Sequence, residues 1–171
     1  MQGYVQVYTG DGKGKTTAAL GLALRAAGAG LKVYIGQFIK NADYSELRTL
    51  HRLADCITIE QFGRGCCLLT APDQADIDAA RQALATIGGI LESGAFDLVI
   101  ADEINVAFAL GLLSEDDLLA LMARRPKTVE LVLTGRGAPP SVIERADLVT
   151  EMRAIKHYYD QGVLARKGME S

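Results

Sequence analysis

The sequence predicts an α/β protein built as three layers, α/β/α, around a mostly parallel sheet of six strands. Short apolar, β-branched runs alternate with stretches of helical pattern along the chain. Several of the runs are almost wholly apolar at their centres, the signature of parallel strands buried on both faces. The first run leads through a glycine-rich stretch straight into the first helix, the join found where parallel sheets bind anions. No internal repeat or Pro/Gly/Ser-rich linker divides the chain, and 171 residues with 49% hydrophobic content suit one domain over 1–171.

Strands are expected at 4–8, 32–37, 57–60, 98–101, 130–133 and 148–151, and helices at 15–27, 45–54, 73–93, 114–123 and 140–146. Gly28 and Gly30 supply the end of the first helix. Pro72-Asp73 marks entry to the longest one, and Ser114 followed by Glu115-Asp116-Asp117 gives a cap and acids at a helix start. Ligands of such sheets bind at the carboxyl ends of the strands. That rule gathers 9–17, 37–46, 101–105 and 134–138 on one rim.

The loop on that rim reads Thr9-Gly10-Asp11-Gly12-Lys13-Gly14-Lys15-Thr16-Thr17. Glycines allow backbone N–H groups to converge on phosphate oxygens, Lys15 can place its ammonium on the outer phosphates, and the Thr16 hydroxyl can reach phosphate-bound Mg²⁺. A nucleoside triphosphate is the expected ligand. The usual spacing asks for glycine where Thr9 stands, and counted from Gly10 the loop is one residue short. The tighter spacing suggests an unusual seat for the triphosphate.

The apolar run 98–101 ends in Asp102-Glu103, acids suited to Mg²⁺ or its water, or alternatively to a helix N-cap. Neighbours on an extended chain face opposite ways, so the two acids have different jobs. Thr134-Gly135-Arg136-Gly137 ends the run after it, where Arg136 can reach phosphate or ribose or simply sit in a solvated turn. Lys40 is a weaker phosphate candidate. His157 lacks partners for a triad and reads as structural. Phe62, at the end of the third strand, is either core packing or the edge of a second substrate site.

A net charge of −3 supplies no global basic field, so nucleic acid is not an expected partner. No apolar run approaches the ~20 residues of a membrane span. The N-terminus carries no basic segment followed by an apolar core. Cys56, Cys66 and Cys67 make an odd count without metal-ligand spacing, which fits a reducing cytoplasm. The residues by themselves reach an Mg-nucleotide-dependent α/β enzyme or switch. They spell neither an Asn-Lys-x-Asp guanine signature nor a dedicated phosphoryl-acceptor site.

Taken in order, 8–19, Gln37-Phe38-Ile39-Lys40, Asp102-Glu103, Arg125-Pro126, 133–137, 146–152 and the tail with Lys156-His157, Gly162, Val163, Ala165, Gly168 and Glu170 resemble the P-loop ATP:corrinoid adenosyltransferases, nearly end to end. The resemblance implies a RecA-like, cytoplasmic, homodimeric enzyme served by a reductase. It would transfer the adenosyl group of ATP to the cobalt(I) of cobalamin or cobyrinic acid a,c-diamide and release triphosphate, with ATP lying reversed in the loop. It further implies Lys15 and the loop (Thr9, Gly10, Asp11, Gly12, Lys13, Gly14, Thr16, Thr17) on the phosphates. Thr16 with Glu103 or Asp102 would hold Mg²⁺, Arg136 would be a secondary anion contact, and Phe62 would lie at the corrinoid edge. Some members of the family carry aromatic residues in the loop after the third strand that help displace the lower cobalt ligand; here that stretch is Phe62-Gly63-Arg64-Gly65-Cys66-Cys67, and the chain has no tryptophan. The competing readings are a P-loop kinase of a small metabolite, which would release ADP, and a nucleotide-gated corrinoid carrier without chemistry.

Overall fold

Alternation along the first strand decides how the molecule is layered. In β1 (Val5–Thr9) Val5, Val7 and Thr9 are buried while Gln6 and Tyr8 are half-buried, so one face of the strand meets a thick core and the other a thinner one. The computed structural model describes residues 2–65 and 71–170. The remaining strands are β2 (Val33–Gln37), β3 (Ile57–Gln61), β4 (Leu98–Asp102), β5 (Glu130–Thr134) and β6 (Leu148–Glu151). They form one six-stranded sheet in the order β3-β2-β4-β5-β1-β6, with every neighbouring pair parallel. β2 and β4, central and covered on both faces, are buried at every position, as their unbroken apolar runs require.

Helices cover both faces. α1 (Lys15–Gly28) buries Ala19, Ala23 and Ala26 against Val33, Ile35, Ile100 and Val132. Small residues at i, i+4 and i+7 let this helix lie close to the sheet. It ends as its glycines predict, with Gly30 at φ +81° and the Leu31 N–H reaching back to the Ala26 carbonyl. α3 (Gln74–Glu92) and α5 (Glu115–Arg124) cover the opposite face, each opened by a reciprocal capping box, Asp73 with Asp76 and Ser114 with Asp117. Ile87, Leu91, Leu118 and Leu121 there meet Val7, Val99 and Leu131. α6 (Pro140–Arg145) starts at a proline, whose missing N–H costs nothing at a first helical turn.

Four strands run one residue further than their apolar runs, to Thr9, Gln61, Asp102 and Thr134. Pairing with a neighbour carries these polar residues in, as in Gln37 with Asp102 and Tyr8 with Thr134. The expected helix over 45–54 is α2 (Ser45–Leu50) followed by a 3₁₀ turn, His51–Leu53. One helix was missed, α4 (Ile104–Ala109), whose six residues are too few to show a period. No helix among the described residues is long and apolar enough to cross a membrane.

Candidate active site

The glycine-rich loop leaves β1 and closes on α1. Gly10 at φ +93° and Gly14 at φ +120° adopt backbone that a side chain would strain. The segment following β6 backs the loop: the Gly12 N–H donates to the Met152 carbonyl at 2.6 Å, and a Cβ on Gly10 would lie 2.4 Å from that same oxygen. Thr9, standing where the usual spacing has glycine, is buried, and its hydroxyl accepts from the Ala138 N–H at 3.3 Å. The loop is thereby tied at its base to the segment between β5 and α6. Lys15 is buried and its ammonium donates to the Gly10 and Gly12 carbonyls, each at 2.7 Å, so it is strung across the inside of the loop. Burial, then the Arg136 guanidinium, holds the Lys15 amine below its ordinary range. Asp11, Lys13 and Thr17 face outward, and Lys13 sits 3.7 Å from Glu170 in the tail.

Asp102 is the hub. It is 1% exposed and accepts four hydrogen bonds: Thr16 at 2.8 Å and Thr134 at 2.7 Å on Oδ1, Gln37 at 3.0 Å and Lys40 at 2.8 Å on Oδ2. Burial alone would raise its pKa, but the Lys40 ammonium and these donors outweigh it and hold the carboxyl below the usual range. Lys40 likewise, despite its burial, is pushed above its ordinary value by Asp102. The start of α1, the end of β5 and the end of β2 with the turn after it thus converge on one carboxylate. Gln37 and Thr134 lie in segments the sequence singles out but receive no role of their own there; both are fully buried, and a polar residue closing an apolar strand run is the signal that could have found them.

Glu103 has the different job its neighbouring position implies. Its backbone is left-handed, φ +63°, at the start of α4, and its N–H donates to the Thr134 hydroxyl at 2.9 Å. The carboxyl is raised above the ordinary range by burial and then by the Asp102 charge, with Lys40, Lys15 and Arg136 pulling the other way. Glu103 therefore belongs to the same electrostatic neighbourhood as the loop lysine. A raised acid favours the folded state at low pH, and this contribution is lost as pH rises through its folded value. Glu103→Gln is accordingly expected to raise the Tm of the ligand-free protein near neutrality, a gain that shrinks as the pH is lowered. The same variant should weaken Mg²⁺-dependent ATP binding by about ten- to a hundredfold. Melts across pH and ATP titrations with and without Mg²⁺ check both halves.

The fit of these donors to a divalent cation can be judged from their chemistry. Among the described residues no three His, Cys, Asp or Glu side chains gather to hold a metal, so the protein alone does not make a cage. The Thr16 hydroxyl and the Glu103 carboxylate are hard oxygen donors beside the glycine-rich loop, and oxygens of a bound ligand and water would complete an octahedron. That donor set suits Mg²⁺. Asp102, its oxygens engaged, positions the Thr16 hydroxyl.

Arg136 is exposed, and Gly135 before it, at φ +128°, packs on the first turn of α4. Its charge is felt at both Lys15 and Glu103, which puts it on the side of the rim that carries the glycine-rich loop. Phe62 is half-buried against the core beneath Gly36, on the far side of the rim from the loop. It borders a cleft with Phe38, Ile39 and Leu112, so it serves packing and faces a surface recess at once. Cys66 and Cys67 lie outside the described residues. His157 caps the 3₁₀ turn Tyr158–Gln161, its Nδ1 accepting from the Tyr159 N–H, which is a structural role. Arg125 donates to the carbonyls of Gly3, Pro126 and Val129 and locks the turn before β5.

The family model described as ATP:corrinoid adenosyltransferase BtuR/CobO/CobP matches residues 1–171. A corrinoid adenosyltransferase of Pseudomonas aeruginosa is 39% identical over 170 residues, 99% of this chain and 84% of that protein. One of Escherichia coli is 34% identical over 169 residues, 99% of this chain and 86% of that protein. The corrinoid adenosyltransferase CobA of Salmonella typhimurium is 32% identical over 169 residues, with the same shares covered.

Proposed function

Because the chain belongs to the ATP:corrinoid adenosyltransferase family, we propose that this enzyme transfers the 5′-deoxyadenosyl group of ATP to the cobalt(I) of a corrinoid and releases triphosphate. The observation that carries the reading is the match over the whole chain, and the rim is consistent with it. The substrate is taken to be cobalamin or cobyrinic acid a,c-diamide.

In this reaction the cobalt(I) electron pair forms a bond to the ribose 5′ carbon while the bond from that carbon to the triphosphate oxygen breaks. Cobalt(I) is already a strong nucleophile, so no side chain has to remove a proton. The work left to the protein is to align the 5′ carbon with cobalt and to stabilise the departing anion. Lys15, the loop N–H groups and the α1 N-terminus face the triphosphate, with Arg136 adding charge from the neighbouring strand end. Thr16 and Glu103 would hold Mg²⁺, which neutralises phosphate charge when bound. Asp102, through Thr16 and Lys40, fixes where those contacts are made. ATP lies reversed in the shortened loop, which brings its ribose toward the corrinoid. Phe62 edges the corrinoid recess, the working unit is a homodimer, and a reductase supplies cobalt(I) in the cytoplasm.

The test is spectroscopic. Under anaerobic conditions, with the corrinoid reduced to cobalt(I), the cobalt(I) absorbance should decay only when protein and Mg-ATP are both present, giving a light-sensitive alkylcobalt product. Persistence of the cobalt(I) spectrum with all components present would refute the assignment.

A further inference from the structure

The ammonium of Lys40 lies 2.8 Å from Asp102 Oδ2 and 3.3 Å from the Thr16 hydroxyl, which itself donates to the other oxygen of Asp102. These are the side-chain oxygens next to the phosphate loop, one of them on the residue read above as a metal ligand. A lysine has been placed where a cation is needed. It is well sheltered, 15% exposed on its side chain, with the Tyr44 ring 5.5 Å away. Asp102, Glu103 and Glu46 all act on it. The chain bends sharply to put it there. Ile39, a β-branched residue, has φ +30°, and the Lys40 N–H turns back onto the Phe38 carbonyl. The loop after β3 presses on this turn so closely that a Cβ on Gly63 would lie 2.0 Å from the Ile39 carbonyl oxygen. Backbone in such a region is held only by its surroundings and stores free energy that movement can release.

We propose that Lys40 is a resident counter-cation: in the nucleotide-free enzyme its ammonium occupies the oxygens of Thr16 and Asp102, and loading of the metal nucleotide displaces it toward the triphosphate. Without Lys40, the buried Asp102 carboxylate would keep the hydrogen bonds of Thr16, Thr134 and Gln37 but lose its counter-charge, which is costly. With Lys40 in place, a divalent cation arriving alone meets a positive charge and an engaged carboxylate. Only a cation that brings phosphate oxygens offers the ammonium somewhere else to go. The enzyme therefore takes up metal and nucleotide together, and the relaxing turn at Ile39 links that step to the loop that carries Phe62. The proposal rests on the phosphate-loop reading of the site. It does not depend on which acceptor is used, and its test contains neither ATP nor a corrinoid.

The probe is Mn²⁺ alone, titrated into the full-length protein and followed by the loss of the free-ion paramagnetic resonance signal. Lys40→Met and Lys40→Gln are compared with wild type; the glutamine keeps a donor for Asp102 should the methionine variant fold poorly. Both are expected to bind Mn²⁺ about tenfold or more tightly than wild type. Their Tm should be lower than wild type without metal and should rise more on adding Mg²⁺. Combining Lys40→Met with Asp102→Asn should abolish the gain in Mn²⁺ affinity. Variants that bind Mn²⁺ no better than wild type would overturn the proposal, as would a gain that survives the loss of the Asp102 charge.

Discussion

Asp102→Asn is expected to destabilise the fold by about 3–5 kcal/mol, because it leaves the sheltered Lys40 ammonium without its charge partner. For a chain of this size that corresponds to a fall in Tm of roughly 6–20 °C. The pH dependence identifies the cause. Asp102 lies below its ordinary range in the folded protein, so its stabilisation is present above the unfolded aspartate value and is lost as pH falls through the folded one. Lys40 lies above its ordinary range, so its share is present below the unfolded lysine value and is lost as pH rises through the folded one. Wild type should therefore hold a stability plateau between those limits. The variant should melt lower across the plateau and converge on wild type in acid. Thermal melts over a pH series, read by circular dichroism, check this. An equal loss at every pH would assign the effect to packing.

Lys15→Ala is expected to lower turnover and weaken ATP binding by about ten- to a hundredfold, from the loss of about 1.5–3 kcal/mol of charge-assisted contact to the phosphates. The fold should survive. Among the described residues Lys15 bonds only to carbonyls of its own loop, Gly10 and Gly12, and no strand is hydrogen-bonded to its side chain. Far-ultraviolet circular dichroism alongside nucleotide titration separates the two effects. Unchanged affinity and rate would remove Lys15 from the phosphate site.

These two residues also illustrate what could be read without a structure. The position of Lys15 inside the glycine-rich loop was legible because a strand, glycines, a lysine and a hydroxyl in sequence describe a single local device. β2 and β4 were legible for a similar reason, since burial on both faces leaves a continuous apolar run, whereas the edge strands β3 and β6, partly and wholly exposed, were read from short β-branched runs. The role of Asp102 was only half legible. Its position at a strand end suggested metal, whereas the structure spends its oxygens on Thr16, Thr134, Gln37 and Lys40. Those partners come from three separate segments, and only the strand order, with β4 between β2 and β5, brings them together. The contact of Lys40 with Asp102 was not legible, because it depends on a turn at Ile39 and a β-branched residue gives no sequence hint of positive φ. Phe62 stood open between core and site, and the structure places it against the core at the border of a recess.

The most direct test of the account is the identity of the nucleotide product. The protein is supplied anaerobically with Mg-ATP and a corrinoid held as cobalt(I), and the phosphorus-containing products are resolved and counted. If cobalt attacks the 5′ carbon, the leaving group is the intact triphosphate, formed in equal amount with adenosylcorrinoid and absent when either substrate is withheld. ADP as the nucleotide product would contradict the account in favour of phosphoryl transfer, and binding of both ligands without turnover would contradict it in favour of a carrier.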